Sequence, residues 1–419
     1  MLKFPPLFNK TREFVIFSCI LIAIIAARLL FLYQDYKELK SKDLYYTKAQ
    51  IIQIYKTKGS SKLLKLKSKD GLNFYIFSQK PVKNLDYVQV KIALKDDTTF
   101  LDYLNGFFAK GDVVNKLSSG VDSKAYFRDK ITSQHKDYSS LKSFYTAIYL
   151  ADPLDKKLRE KISNLGVSHL VALSGFHLGI MWGVVFGLLF FPYKLIQQRF
   201  FPWRSRNIDL GFISLVIIAL YVALVGAPPA LIRSYLMLAL AWLFLVIGLE
   251  LISFRLLAVA WLLILVFMPK LITSIALILS FSGVFYIFLM LKWLKDAPNW
   301  FISFVAIPVG IFFLMFPIGH LFFPNTSIWQ LMSAPLSLIF VPFYPISALF
   351  HIIGFGDFAD KALVWLFNLP KNATEIIIPT PTIALYITLS IASIFSKKAF
   401  IATFILSVFI TIYCIYLTL

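Results

Sequence analysis

Long apolar runs are the feature that most constrains the fold of this chain. Three of them cover residues 210–225, 236–249 and 399–417, and 58% of the 419 residues are hydrophobic. With their flanks, such runs approach or exceed the ~18 residues that cross a ~30 Å hydrocarbon layer as a helix. Only helices and closed barrels satisfy their backbone groups in lipid, and runs this continuous favour helices. The sequence therefore predicts a polytopic α-helical membrane protein.

The predicted spans number about ten. The first, residues 14–32, lies in an N-terminal transmembrane anchor that covers residues 1–33. Pro335, Pro342 and Pro345 favour a broken or re-entrant helix in one of the later spans. The further spans are predicted at residues 168–191, 208–226, 230–249, 253–268, 271–291, 300–318, 328–350, 376–395 and 399–418.

The charges of the loops predict the orientation. The chain has a formal net charge of +20, and cytoplasmic loops of membrane proteins collect Lys and Arg. The basic loop 192–207 is therefore expected in the cytoplasm, which places the region after the first span on the outer side of the membrane. Lys292 and Lys295 then also fall inside, whereas Lys397 and Lys398 fall outside on a ten-span count. The predicted location is the bacterial inner membrane, with many crossings.

Residues 34–105 have a different character from the rest of the chain. They contain short segments rich in β-branched and aromatic residues, and Lys69-Asp70-Gly71 is a hairpin signal. This pattern predicts a small extracytoplasmic β-barrel, OB-like in form, after the first span. Residues 106–165 are predicted as a linker and amphipathic helix, and residues 166–419 as a multi-span domain. The predicted strands are residues 45–55, 61–68, 72–78 and 87–94.

The segment from residue 166 to residue 179 carries the most polar chemistry of the predicted spans. Serine and histidine are costly in lipid unless they face protein or water. If the segment is helical, Ser174 and His177 share a face, and Gly175 and Gly179 begin a glycine ridge against which another helix can pack. A cavity-facing helix and a purely structural hydrogen-bonded seam both explain the pattern. The polar side chains are Ser168, His169, Ser174 and His177.

A second cluster surrounds the start of a later span. Gly226 and Pro229 fit a helix start, because the N–H that proline lacks would be unsatisfied there. Arg233 follows within the first two turns. It fits either a side chain that reaches the outer interface or a fixed positive charge at the mouth of an anion path.

Several catalytic motifs are missing from the sequence. It has no phosphate-binding G-x-x-x-x-G-K-[ST] loop, no H-E-x-x-H, no C-x-x-C and no G-x-S-x-G. We therefore expect no ATPase or nuclease activity, no metal centre and no cofactor. Ser174 and His177 could pair as nucleophile and base, but no acid is placed to orient the histidine. A membrane hydrolase or glycan transferase and a small-solute secondary transporter stay open as alternatives.

The two polar clusters described above, near residues 166–179 and 226–233, resemble motifs of the ComEC-type competence proteins, the inner-membrane DNA-internalisation channels of transformable bacteria. The run from Gly166 to Gly179, with Ser-His-Leu followed by Ser-Gly-x-His, is similar to that family's most distinctive motif. The stretch from residue 224 to residue 237 resembles a second motif, and Leu279-Ser280-Phe281 a third. Residues 325–338 resemble a weaker fourth. The motif residues expected at the channel are Ser168, His169, Ser174, Gly175, His177, Gly179, Gly226, Pro229, Arg233, Ser280 and Phe281.

The resemblance implies a channel that conducts single-stranded DNA from the periplasm to the cytoplasm during natural transformation. Many family members continue into a metallo-β-lactamase-like domain, whereas this sequence has no His-rich segment for one and resembles a short form. The implied partners are a periplasmic DNA-binding protein and a cytoplasmic helicase-type ATPase. Pairing of two protomers is a further expectation.

The basic β region is the predicted DNA-binding element. Its excess of Lys suits an anionic partner, either nucleic acid or lipid head groups, although a genome that favours lysine would give the same composition. OB-type barrels bind single strands through basic grooves and stacked aromatic rings. Because strand residues alternate faces, some of the candidate rings must belong to the core. The candidates are Lys62, Lys65, Lys67, Phe74, Tyr75 and Phe77.

Overall fold

A computed structural model describes residues 7–418, except residues 9, 57–60, 120–121, 249, 251 and 370–372, and omits the side chains of Lys56 and Pro229. The α-helices are α1 Thr11–Ser41, α2 Phe100–Asn105, α3 Ala125–Thr132, α4 Ser139–Leu150, α5 Lys156–Asn164, α6 Ser168–Val171, α7 Gly175–Phe200, α8 Arg206–Leu224, α9 Pro229–Ile247, α10 Phe254–Phe267, α11 Ile275–Trp293, α12 Asn299–Phe301, α13 Ile307–Phe322, α14 Ser333–Ile353, α15 Asp360–Phe367, α16 Thr380–Ala392 and α17 Lys397–Tyr416. The strands are β1 Tyr45–Lys56, β2 Lys62–Ser68, β3 Asn73–Ser78, β4 Tyr87–Leu94, β5 Phe107–Ser118, β6 Asn325–Thr326 and β7 Thr374–Glu375.

The described residues divide into two compact units. The barrel unit consists of Phe8–Ser123 and Trp261–Leu277. The helical unit contains Lys124–Ala260 and Ile278–Leu419.

The barrel unit contains a closed five-stranded barrel. Its strand order is β1-β2-β3-β5-β4, and neighbours are antiparallel except for β3 and β5, which run parallel with Phe74 opposite Phe107. The structure confirms a small β-barrel after the first apolar helix. It corrects the boundary at residue 105, because β5 lies within the stretch predicted as a linker and completes the barrel.

Alternation along the strands sorts the barrel residues. On β2, Leu64 and Leu66 are buried in the core, whereas the intervening Lys65 points outward. Water is the solvent on the outer face, so burying each leucine contributes roughly 1.5–3 kcal/mol. Gly71 adopts a positive φ of 74° in the tight turn to β3, a conformation that glycine reaches without a steric cost. The turn predicted at residues 69–71 is therefore confirmed.

The helical unit is built from long apolar helices. Within the described ranges, eight helices are long and apolar enough to cross a membrane, counting α1 of the barrel unit. Two shorter apolar helices, Phe254–Phe267 and Thr380–Ala392, accompany them. The chain is thus mostly helical with a small barrel, in agreement with the predicted polytopic membrane class.

A short two-stranded ribbon joins the segment before α14 to the segment after α15. Strands β6 and β7 pair, with Thr326 opposite Thr374, and the Ile376 N–H donates to the Pro324 carbonyl at 2.9 Å. The ten-span count placed these two segments on opposite sides of the membrane, whereas the structure brings them together.

A second pair of contacts agrees with that conclusion. Lys292 Nζ, at the end of α11, donates to the Ile394 carbonyl at 2.6 Å. The neighbouring Trp293 Nε1 donates to the Ser393 carbonyl at 2.9 Å. The basic end of α11 and the turn that leads to Lys397 thus lie together, whereas the ten-span count placed them on opposite sides.

Candidate functional site

Two of the motif segments meet along α14. Ser333 Oγ donates to the Gly166 carbonyl at 3.1 Å, and one turn later Ser337 Oγ lies 3.2 Å from His169 Nε2. The first and fourth motifs, which are more than 150 residues apart in sequence, are therefore joined by hydrogen bonds between polar side chains and backbone.

The other two motifs join the same place. A Cβ added at Gly175 would lie 3.3 Å from Ser234 Oγ on α9, so the glycine permits the second motif to approach α7 closely. Met237, one turn further along α9, accepts a contact from Ser280 Oγ at 3.8 Å. Phe281 beside it is buried. We call this meeting point of the four motif segments the motif junction.

The first motif is not one continuous helix. α6 ends at Val171, and α7 begins at Gly175 with Ser174 as its N-cap residue. Ser174 and His177 form a capping box, in which the serine side chain accepts from the His177 N–H and the histidine accepts from the Ser174 N–H. This arrangement satisfies two N–H groups at the start of the helix. The predicted shared helical face of Ser174 and His177 is replaced by this local cap.

His177 is a buried structural residue. Its side chain is 0% exposed and lies edge-on to the rings of Phe340 and Tyr344, with centroid distances of 5.1 and 5.0 Å. Nδ1 accepts from the Ser174 N–H, so Nε2 carries the hydrogen and donates to the Leu170 carbonyl at 2.9 Å. The prediction that His177 lines a wet path is corrected, because both nitrogens are occupied and aromatic rings seal the side chain.

The same geometry argues against a Ser–His catalytic pair. Ser174 Oγ lies 3.2 Å from His177 Nδ1, which is close enough for a hydrogen bond. The outer nitrogen of a catalytic histidine is usually oriented by a carboxylate, whereas here it faces the Leu170 carbonyl. Among the described residues no group of three His, Cys, Asp or Glu side chains could hold a metal ion.

His169, by contrast, is exposed. It follows Ser168, which is exposed as well. Protein nevertheless surrounds the imidazole closely enough that desolvation lowers the pKa of His169 to about 4. At neutral pH the imidazole is therefore uncharged.

The glycine ridge of α7 is open beyond its first member. A Cβ added at Gly179, Gly183 or Gly187 would meet no atom of the described chain within 4 Å. Within the described chain, Gly175 is the ridge glycine that is closely approached, and close packing along the other three stays a prediction.

The second motif forms the start of α9. Gly226 adopts a positive φ of 86° in the preceding turn, which favours glycine. Pro229 is the first residue of α9, as predicted. Arg233 is only 6% exposed, so it does not extend to the outer interface, and the interpretation as an interfacial side chain is corrected.

The barrel carries a separate candidate site on its outer face. Tyr75 stacks on Phe108 with a centroid distance of 5.0 Å and an interplanar angle of 24°. Lys65 Nζ lies 5.8 Å from the Tyr75 centroid, and Lys95 Nζ lies 6.0 Å from the Phe108 centroid. We call these four residues the barrel face. Both rings are partly accessible, and Phe108 is 47% exposed.

The remaining candidates divide between the core and the surface. Phe74 is 0% exposed and stacks on Phe107 inside the barrel, so its predicted role in binding is corrected. Phe77 is 53% exposed, Lys67 is exposed and Lys62 is half-buried. Neither Phe108 nor Lys95 is predicted as a binding residue from the sequence. Both depend on β5, because this strand contains Phe108 and brings its ring next to Lys95.

Comparisons with known proteins give a consistent result. A family model described as competence protein matches residues 151–418. The uncharacterized protein YcaI of Escherichia coli (strain K12) is 24% identical over 240 residues, which are 52% of this chain and 31% of the relative. The match thus spans about a third of that relative's length. No solved structure matches the chain.

Proposed function

The chain belongs to the competence protein family, and from this premise we propose that it conducts single-stranded DNA across the bacterial inner membrane. Family membership supports a role in DNA uptake and a channel rather than an enzyme. The finer assignment, which includes strand type and direction, is the proposal.

The observation that carries the proposal is the barrel face. Stacked aromatic rings with flanking lysines bind single strands in OB-type barrels, because every base has a π-face and each phosphate attracts a cation. Tyr75 and Phe108 supply the rings, and Lys65 and Lys95 supply the charges. In the proposed orientation this face is periplasmic and receives the strand.

The motif junction is the proposed start of the path through the membrane. A polyanion needs a hydrated route lined by hydroxyls, imidazoles and backbone dipoles. Ser168 and His169 present such groups at accessible positions, and the α7 glycines beyond Gly175 have no neighbouring atom of the described chain within 4 Å of an added Cβ. In this proposal His177 does not line the path; it fixes the start of α7 through the capping box with Ser174.

The proposed topology rests on two sets of contacts, one at the end of α11 and one in the β6–β7 ribbon. Lys292 and Lys295 lie in the cytoplasm in the proposed orientation, and Ile394 contacts the Lys292 side chain. Lys397 and Lys398 are then cytoplasmic too, which agrees with the tendency of basic residues to stay inside. The β6–β7 ribbon is periplasmic in this proposed orientation.

The proposed partners supply what the chain lacks. The sequence has no phosphate-binding loop, so a cytoplasmic helicase-type ATPase would pull the strand and a periplasmic DNA-binding protein would deliver it. Pairing of two protomers is part of the proposal as well.

Deletion of the gene, with separate assays of labelled DNA in periplasm and cytosol, tests the function. We expect DNA to accumulate in the periplasm and to be absent from the cytosol. Complementation with His169→Ala should lower cytosolic DNA by about tenfold, because it removes a hydrogen bond of ~1.4 kcal/mol between the imidazole and the passing strand, at an unchanged amount of protein in the membrane. Cytosolic DNA at the normal level after deletion would contradict the channel.

A further inference from the structure

Three buried titratable side chains form a hydrogen-bonded chain outside the motif junction. His135 follows α3, His351 lies in the last turn of α14, and Asp360 begins α15. His135 Nδ1 lies 2.9 Å from Asp360 Oδ2, and His135 Nε2 lies 2.9 Å from His351 Nε2. All three are buried. We call them the clasp.

The hydrogen bonds fix how many protons the clasp holds. His351 Nδ1 faces the Ser347 carbonyl at 2.6 Å, and a carbonyl only accepts, so Nδ1 carries a hydrogen. A neutral His351 then has a lone pair on Nε2, and His135 Nε2 must donate to it. One further proton is shared between His135 Nδ1 and Asp360 Oδ2. Without that proton, a carboxylate would face an imidazole lone pair at 2.9 Å.

The surroundings make this shared proton important. The Tyr145 ring stacks on His135 at 4.4 Å, and Asp360 Oδ1 is buried without a hydrogen-bond partner among the described residues. Burial raises the pKa of the Asp360 carboxyl, and the hydrogen bond from His135 opposes that rise. A dry, half-satisfied carboxyl favours its protonated form.

The other titratable or charged groups around the clasp are few. Tyr145 and Tyr149 contribute from α4, and the Tyr149 ring lies 5.5 Å from His351. Asp357 adds a negative charge that further raises the pKa of Asp360. Lys130, on α3, donates to the Ile352 carbonyl at 2.9 Å.

Side-chain contacts along α14 connect the clasp to the motif junction. His351 and Tyr344 are seven residues, or about two turns, apart on α14, and the Tyr344 ring packs on His177. Between them, the Tyr149 hydroxyl bonds to the Ser347 hydroxyl and to the Tyr344 carbonyl. A shift at one end of α14 would therefore reach the side chains that hold the first motif.

We propose that the clasp of His135, His351 and Asp360 is a proton-dependent positioning device that holds α14 against the first motif. It rests on the proposed function only for its effect on DNA, since the titration of the clasp is a property of the protein alone. A carboxyl whose pKa is raised by folding contributes stability below that pKa, and this contribution is lost as the pH rises through it.

Thermal unfolding of the full-length protein in nanodiscs at a series of pH values tests the titration. The wild-type melting temperature should fall by about 2–4 °C as the pH rises through the pKa of the clasp. Asp360→Asn should remove that slope, because an amide N–H donates to His135 at any pH. Ser390→Ala, which removes a buried hydroxyl outside the clasp that bonds to the Tyr286 hydroxyl and does not titrate in this range, should keep the wild-type slope. Equal slopes in wild type and Asp360→Asn would overturn the proposal.

A cross-linking measurement covers the case in which Asp360→Asn does not fold. In a chain with Cys19→Ala and Cys414→Ala, the pair Lys130→Cys and Ile352→Cys should be joined by a short bismaleimide less efficiently as the pH rises. The pair Gln197→Cys and Arg204→Cys corrects for the pH dependence of the reagent, because the Gln197 side chain and the Arg204 carbonyl are in a similar contact. A constant ratio between the two pairs would contradict a clasp that opens.

DNA uptake at different external pH values separates the two proposals. Cytosolic DNA should decrease with rising pH in wild type and respond less in Asp360→Asn. A clasp that titrates while uptake does not follow it would refute the positioning role alone. A wild-type protein that conducts no DNA would refute the channel and leave the clasp intact.

Discussion

The barrel and the long helix α7 sort their side chains in opposite ways. In β3, Phe74 is fully buried, whereas Phe77 is 53% exposed, because water accepts one face of the strand and the core accepts the other. From residue 178 to residue 191 helix α7 is apolar on all sides, and Leu188 is 73% exposed. Lipid does not distinguish among its apolar faces, so its polar residues, rather than its period, show where protein contacts occur.

The first motif shows the same difference within a few residues. His169 and His177 are eight positions apart, yet His169 is exposed and His177 is buried against aromatic rings. The interruption between helices α6 and α7, from Val171 to Gly175, separates them. Local capping therefore decides their roles in the helical unit, as strand alternation does in the barrel.

The largest effect is expected in the barrel core. Phe74→Ala should lower the free energy of unfolding of the barrel by about 3–5 kcal/mol, because it removes a buried ring that stacks on Phe107. Urea-dependent proteolysis of the full-length protein measures this loss. Phe77→Ala, on the exposed face, should change it by only about 0.5 kcal/mol or less. Similar losses in both variants would contradict the assigned faces.

Much of the barrel could be predicted from sequence. The alternation of Leu64, Lys65 and Leu66 predicts a half-buried strand, and the strands before residue 95 were placed within a few residues. The phase at Phe74 and Tyr75 stayed open, because two adjacent rings fit either face. Strand β5 was missed because it pairs parallel to β3 and contains Gly111 and charged residues, which weaken the pattern.

The helical site was less predictable for physical reasons. Hydropathy located the apolar helices, but it contains no signal for the break before Gly175, since the cap is formed by hydrogen bonds. The clasp joins residues 216 and 225 positions apart, and no periodic pattern connects them. The four motifs, in contrast, were named from sequence, and the structure shows that they meet.

The second effect concerns the two histidines of the first motif. His177→Ala leaves the Leu170 carbonyl and the Ser174 N–H without their partner, at a cost of about 1–3 kcal/mol for each buried group. Thermal unfolding in nanodiscs should show this loss. His169→Ala should leave the melting temperature nearly unchanged, because its side chain is exposed and its hydrogen bond to Ser337 is exposed as well.

The two variants also distinguish a residue that stabilises the protein from one that lines the proposed DNA path. A stable His177→Ala protein with a normal melting temperature would show that the cap is dispensable, and His177 would return to the candidates for the path. A large destabilisation by His169→Ala would move that residue from the lining to the framework.

The smallest effect is expected on the barrel face. Tyr75→Ala and Phe108→Ala should each weaken the binding of a single-stranded oligonucleotide by about 1–3 kcal/mol, the range for loss of one stacked base. The barrel should keep its stability, because both rings lie on its outer surface. Fluorescence anisotropy with the full-length protein at low ionic strength measures the affinity.

Two controls make this last comparison specific. Tyr46→Ala removes an exposed tyrosine from β1, opposite Lys91 on β4 and away from the barrel face, and should leave the affinity unchanged. Lys65→Ala should reduce the slope of log K against log salt concentration by about 0.7, because one phosphate contact is lost. Equal weakening by Tyr46→Ala and Tyr75→Ala would mean that the barrel attracts DNA by its charge alone, and the stacked pair would then have no special role.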